Sequence, residues 1–310
     1  MKICVSFVVT LLAAGLACAQ PAKDRKGPMM IPADVEVVRD VEYGTGGGRP
    51  LKMHLLRPKT MPKEAMPVLV WVHGGAWLSG NKDGGIGNLV RFVQRGYFGA
   101  TIEYRLSQEA KFPAQIEDCK CAIRFLRAKA RGLNIDPNRI GVWGSSAGGH
   151  LVALLGTSGG VKELEGTGGW PEFSSHVNAV CDWFGPSDFL KMKDFPSRLD
   201  RTLPTCPEAQ LIGGALDANA DKAAKANPIT YITPDDPPFL IMHGDRDEVV
   251  PFNQSELLYA ALKKAGVDVT FHPVKGAGHG FGGPDIMNLV TEFFDKHLRP
   301  AGPKAQGDKQ

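Results

Sequence analysis

Short, predominantly apolar runs recur along the chain at Val68–Val72, Phe98–Ile102, Ile140–Trp143, Val177–Cys181 and Phe239–Met242. Runs of this length without polar alternation suit strands covered on both faces, as in a mostly parallel sheet. Val35–Tyr43 and Leu51–Arg57 predict two earlier strands around a turn at Gly44–Pro50, and Val269–Val274 a late one. Between the runs the apolar spacing becomes helical. Pro113–Arg131 sets Ile116, Cys119, Ile123, Phe125 and Leu126 near a 3.6-residue period. Asn253–Gly266 carries Leu257, Leu258, Ala261 and Leu262 and ends in a Lys-Lys-Ala-Gly stop, and Ile286–Leu298 turns Leu289, Val290, Phe293 and Phe294 inward. Strand and helix in alternation predict an α/β class with helices on both faces of the sheet.

Two stretches interrupt the alternation. Thr157–His176, rich in Gly, and Ser187–Asp236, rich in Pro and Asp, are weakly periodic. They follow central strands, so they are expected to be excursions over the carboxyl edge, where sites of open α/β sheets lie, with the second supplying a lid. At the start, Lys2, the apolar stretch Ile3–Ala17 and the small-x-small Ala17-Cys18-Ala19 have the form of a secretory signal peptide. Cleavage after Ala19 is expected, and with it a secreted or periplasmic protein. The stretch is short for a membrane span, which needs about 20 residues, and no other segment is apolar enough. Residues 20–33 and 301–310 read as loose ends, leaving a single domain over residues 34–300.

The 310 residues are 22% charged and 43% hydrophobic, an ordinary globular balance. The formal net charge of +3, without a clustered basic face, argues against nucleic acid. Glycine is the outlier, at 37 residues against a usual share of roughly 7%; slack chain and many tight turns would both produce that. Cys119 and Cys121, two apart on a predicted helix, point away from each other. Cys181 and Cys206 are left as either a disulfide, allowed in an exported protein, or two separate buried thiols.

The sharpest chemical signal is Gly144-Ser145-Ser146-Ala147-Gly148, between the strand Ile140–Trp143 and a helical stretch Gly149–Leu155. That context is what a nucleophile elbow requires: small residues allow the sharp turn, and the turn exposes Ser146 at a helix N-terminus. A serine hydroxyl needs a base and an orienting acid. His243-Gly244-Asp245-Arg246-Asp247 follows the strand Phe239–Met242, and Gly278-His279-Gly280 follows the strand ending at Val274. Asp247 is the expected acid, Asp245 its competitor with a turn-shaping role, and His279 the expected base. The remaining histidines, His243 among them, read as structural. No Cys/His cluster has ligand spacing, and neither a P-loop nor a complete dinucleotide fingerprint occurs, so no metal and no cofactor are expected. His73-Gly74-Gly75-Ala76-Trp77 closes the strand Val68–Val72. Acyl transfer builds an oxyanion that needs preorganised N–H donors, for which Gly75, Ala76 and Ala147 are the candidates, with His73 bracing the loop.

These residues resemble the α/β-hydrolase superfamily, and within it the hormone-sensitive-lipase-like branch and bacterial carbohydrate esterases of acetyl xylan or feruloyl type. Tyr104-Arg105-Leu106-Ser107, Phe112–Asp118 and Asp182–Asp188 belong to the same match. The resemblance implies an α/β-hydrolase fold, a Ser146–His279–Asp247 triad, an oxyanion hole at Gly75, Ala76 and Ala147, and a small-molecule or polysaccharide ester substrate. Ala76 replaces the third glycine usual in the lipase-like branch, which leans towards carbohydrate-esterase-like or formamidase-like relatives. Short-chain carboxylesterase and arylformamidase-like activities are the alternatives. Trp77 and Trp183 are candidates to line an acyl or sugar pocket by stacking, with a core role, the commoner one for aromatics, as the alternative.

Overall fold

The computed structural model describes residues 30–299; the expected signal peptide, most of the loose N-terminal segment and the C-terminal tail lie outside the described residues. Eight strands form one sheet: β1 (Val35–Gly46), β2 (Arg49–Pro58), β3 (Met66–Val72), β4 (Phe98–Ile102), β5 (Ile135–Ser145), β6 (Ala179–Trp183), β7 (Phe239–Gly244) and β8 (Val269–Val274). Their order is β1-β2-β4-β3-β5-β6-β7-β8. β1 and β2 are antiparallel to each other, and β2 to β4; all other pairs are parallel. Every residue of β3, β4, β6 and β7 is buried, which is why these strands read as mostly apolar runs without polar alternation. β1, on the antiparallel edge, is only intermittently buried. The turn joining it to β2 narrows to Gly47-Gly48, where φ is positive at both residues, as a two-residue hairpin turn matching the sheet's twist demands.

Eight helices accompany the strands among the described residues: α1 (Ile86–Val93), α2 (Ala114–Ala128), α3 (Ala130–Leu133), α4 (Ala147–Thr157), α5 (Pro207–Ile212), α6 (Ala220–Ala226), α7 (Asn253–Ala265) and α8 (Pro284–Leu298). One face of the sheet is packed by Ile116, Cys119, Ile123 and Leu126 of α2 with Leu151 of α4 and Leu258 and Leu262 of α7. The other is packed by Leu89 and Phe92 of α1 with Val290, Phe294 and Leu298 of α8. This is the α/β-hydrolase architecture, a mostly parallel sheet flanked by helices.

Several boundaries differ from expectation. β6 forms two residues later than the apolar run Val177–Cys181, because Asn178 is used to close β5: its N–H donates to Ile140 C=O and its side-chain oxygen accepts the Ile140 N–H. The helix expected over Pro113–Arg131 breaks at Lys129 into α2 and α3. The second excursion is no bare loop: it holds α5, α6 and 3-10 turns at Phe189–Asp194 and Pro228–Tyr231. It also sinks Phe189, Met192, Leu211, Ala223 and Ala226 into the main core. The four cysteines at 119, 121, 181 and 206 are all buried free thiols, so the pairing left open for Cys181 and Cys206 resolves to separate thiols.

Candidate active site

β5 ends at Ser145 and α4 begins at Ala147, so the chain turns from strand to helix on one residue, Ser146, with φ 56° and ψ −122°. Such a conformation costs a non-glycine residue about 1–3 kcal/mol and persists only where its surroundings enforce it. Two of those enforcements are glycines. A Cβ on Gly144 would lie 2.4 Å from Gly148 O, and one on Gly148 would lie 2.1 Å from Val72 O. A third is the Ser146 N–H, which donates to Trp183 C=O at the end of β6 (2.8 Å).

Parallel pairing brings the carboxyl ends of β5 to β8 to one edge, and the three expected residues converge there. His279 Nε2 lies 3.0 Å from Ser146 Oγ, and His279 Nδ1 lies 2.7 Å from Asp247 Oδ2. A carboxylate only accepts, so Nδ1 carries the imidazole proton and Nε2 is left to accept from the serine hydroxyl. The Asp247 side chain is fully buried, whereas that of His279 is 23% exposed and open to a reactant. Burial alone would push the Asp247 carboxyl up. Hydrogen bonds from His243 and His279, helped by the Val249 N–H, instead hold it well below the usual range, so it is ionised.

The acid and base loops are tied together. Asp245 Oδ1 accepts the Gly276 N–H (2.6 Å) and Arg246 N–H donates to Ala277 C=O (2.9 Å). Asp245 therefore shapes the turn, as expected, and Asp247 reaches His279. The phenyl ring of Phe184 stands 4.7 Å from the His279 ring, covering one side of it.

The loop after β3 runs beside the elbow: a Cβ on Gly74 would meet Ser146 Cβ at 3.3 Å. Gly75, Ala76 and Trp77 all have positive φ (113°, 57° and 56°), and this tight turn is closed by Leu78 and Ser79 N–H groups on Gly75 C=O. None of the hydrogen bonds among the described residues uses the N–H of Gly75, Ala76 or Ala147. His73 braces the loop as expected. Its ring stacks on Tyr104 at 4.3 Å and its Nδ1 is 2.7 Å from Gly74 C=O, while Tyr104 O–H donates to His73 C=O. Burial lowers its pKa, keeping it neutral. Further along, Ser107 N–H holds Trp77 C=O, and Arg105 grips Asp118 through two guanidinium nitrogens.

The two tryptophans that are candidates for a substrate pocket are elsewhere. Trp77 is 1% exposed and packs edge-on against His150 and Phe189. Trp183 is 7% exposed, with its ring against Trp143 and Phe281. Both serve as core, Trp77 from the loop after β3 on one face of the sheet and Trp183 from the end of β6 on the other, and neither presents an open stacking face.

Three residues with no site role legible in the sequence lie around it. Asp182 on β6 lies beneath the elbow, fully buried. Its Oδ1 accepts the Gly185 N–H, its Oδ2 has no partner, and burial pushes its pKa up to about 7. Arg201, 4% exposed, donates from Nη2 to Val249 C=O (2.7 Å) and stands 3.2 Å from the buried Glu208, too poorly aligned for a hydrogen bond there. It connects the excursion to the acid loop. His243, buried at the end of β7, contacts Asp247 directly at 3.2 Å.

Comparison with known proteins identifies the family. The family model described as BD-FAE matches residues 53–262. Esterase LipC of Mycobacterium tuberculosis is 34% identical over 73% of this chain and 55% of its own length; Esterase LipQ of the same organism is 31% identical over 78% and 56%. The chain thus spans about half the length of the curated relatives it matches. Among solved structures, a truncated carbohydrate esterase from gut microbiota superposes with a TM-score of 0.76 at 36% identity, over 84% of this chain and 95% of that one. A propionate-bound thermophilic esterase of Thermogutta terrifontis, Est2, superposes with 0.70 at 28%, over 87% and 97%. The chain belongs to the BD-FAE family, in the hormone-sensitive-lipase-like and carbohydrate-esterase branch of the α/β-hydrolases.

Proposed function

We propose that the protein is a serine carboxylic-ester hydrolase in which Ser146 attacks the ester carbonyl, His279 takes and returns the proton, and Asp247 fixes the imidazole tautomer. The observation that carries this reading is the unbroken contact from Ser146 Oγ through both nitrogens of His279 to Asp247. As Ser146 attacks, its proton passes to His279 Nε2 and the carbonyl oxygen gains charge. Gly75, Ala76 and Ala147 supply the unused N–H groups that stabilise that charge, Ala147 with the positive end of α4 behind it. Collapse expels the alcohol, protonated by His279; water then enters, gives a proton to His279, and releases the acid.

For substrate we propose acetyl or feruloyl esters of plant polysaccharide. The gut carbohydrate esterase and the bifunctional GH43-CE of Bacteroides eggerthii, both 36% identical, support this class. A general short-chain carboxylesterase is the second reading, favoured by the propionate- and butyrate-bound Thermogutta esterase. Export with cleavage after Ala19 accompanies the polysaccharide reading and rests on the sequence of residues 1–19; N-terminal sequencing of the mature protein tests it.

Ser146→Ala is expected to lose several orders of magnitude in kcat on a short p-nitrophenyl ester while staying folded. Normal turnover by that variant would overturn the mechanism. A panel of acetylated xylan, methyl ferulate and p-nitrophenyl butyrate separates the substrate readings: preference for the butyrate ester would favour the second.

A further inference from the structure

Asp247 is contacted by two histidines, and only one of them faces Ser146. Oδ1 accepts the N–H groups of Val249 (2.8 Å) and Val250 (3.0 Å), both from its own loop. Oδ2 faces His279 Nδ1 at 2.7 Å and His243 Nε2 at 3.2 Å. His243 Nε2 is also 3.0 Å from Val250 C=O, and its Nδ1 is 2.7 Å from Ser255 Oγ. Both neighbours of Nε2 are pure acceptors, so that nitrogen carries the proton; Nδ1 then accepts from the Ser255 hydroxyl. The ring is fully buried, with Phe252 at 5.4 Å and Phe184 at 6.1 Å, so these contacts are shielded from bulk solvent.

A histidine buried only for packing would need partners for its two nitrogens, and Ser255 with Val250 C=O already supplies them. The contact to Asp247 Oδ2 exceeds that need. It also fills a gap in how the acid is held. Oδ1 is pinned within the loop 247–250, but Oδ2 would otherwise be held by His279 alone. His279 lies between two glycines, is partly exposed, and must shift when it carries a proton from Ser146 to the leaving alcohol. His243 differs in footing: it is part of β7, paired across to Pro273 of β8, and is locked from behind by Ser255 of α7.

We propose that His243 is a positioning residue for Asp247, its Nε2–H acting as a second donor, oriented by Ser255, that keeps Oδ2 aimed at His279 through the catalytic cycle. The residue moves no proton itself. It ties the acid to the sheet that also carries the elbow, so serine, base and acid share one rigid frame. This rests on the serine-hydrolase reading above.

The test pairs two substitutions with a measurement on the unaltered protein. His243→Leu removes the donor at similar volume. It is expected to lower kcat on a short p-nitrophenyl ester about 10- to 100-fold, as misplacement by about 1 Å does, with KM within about twofold. His243→Gln places an amide N–H at the same reach and should recover kcat to within a few-fold of wild type. Wild-type kcat in the folded Leu variant, or equal losses in folded Gln and Leu variants, would overturn the proposal. Should the Leu variant fail to fold, 15N-histidine NMR of the wild-type protein at pH 8 decides: His243 is expected to be protonated at Nε2 and to accept at Nδ1. The opposite tautomer removes the donor to Asp247 and the proposal with it. The parent reading fails separately, through turnover by Ser146→Ala, and the histidine tautomer is read without any turnover at all.

Discussion

At Asp182 a carboxyl sits fully buried under the elbow with one oxygen unpartnered, between Gly149 and Gly185, whose added Cβ atoms would come within 2.3 and 2.7 Å of Oδ1. There is no room for a counter-charge, so burial raises its pKa to about 7. The folded state therefore holds a proton that the unfolded chain releases near pH 4. The stability due to this group is complete below the ordinary carboxylate pKa and is lost as pH rises through about 7. Asp182→Asn keeps the shape and the acceptor for Gly185 but cannot ionise. Between pH 4 and pH 8 the variant should gain on wild type by up to about 4 kcal/mol in urea-unfolding free energy; a pH-independent difference would refute this. Ser146, Asp247 and His279 were legible in the sequence because each sits in a short motif whose glycines mark a turn. Asp182 and His243 were not. Their roles depend on neighbours in other elements, Gly149 for one and Asp247 with Ser255 for the other, and no local spacing signals such encounters.

Among elements, the strands were the most readable, since burial on both faces leaves a predominantly apolar signature without polar alternation. α1 escaped notice because its eight residues follow Gly84-Gly85 and offer barely two turns of period. α5 and α6 escaped for a similar reason: they are six and seven residues long and separated by glycine and short turns. Yet this segment is fastened to the acid loop. Arg198 N–H donates to Glu248 C=O, Ser197 Oγ to Val249 C=O, and Arg201 Nη2 to the same carbonyl. Arg201→Met would leave Glu208 buried without its cation, a change that costs about 3–5 kcal/mol when a buried pair is broken and is read as a fall in Tm. Replacing both, with Arg201→Met and Glu208→Leu, should restore most of the stability but not the hold on Val249, so kcat should stay below wild type. Wild-type kcat in the double variant would show that the tie does not reach the acid.

For the molecule as a whole, the glycine excess finds much of its explanation in close approach: Gly144 and Gly148 in the elbow, Gly74 against Ser146, and Gly244 under Ala277 C=O. Cohesion comes from the two packed faces, without covalent staples among the described residues. Cys119, Cys121, Cys181 and Cys206 are buried, and burial raises the pKa of each thiol. A thiol reagent should accordingly leave them untouched in the native protein and modify all four after unfolding, and added reductant should not move Tm; a reductant-dependent Tm would reveal a disulfide. The segment over the carboxyl edge carries a different consequence. Because Phe189, Met192, Leu211 and Ala223 belong to the main core, that segment cannot be trimmed away or exchanged as a module without opening the interior. Phe195, Leu199 and Leu203 on the same segment project into solvent at 38–48% exposure. Substitutions at these outward side chains should therefore leave the fold intact, whereas substitutions at the inward ones open its interior.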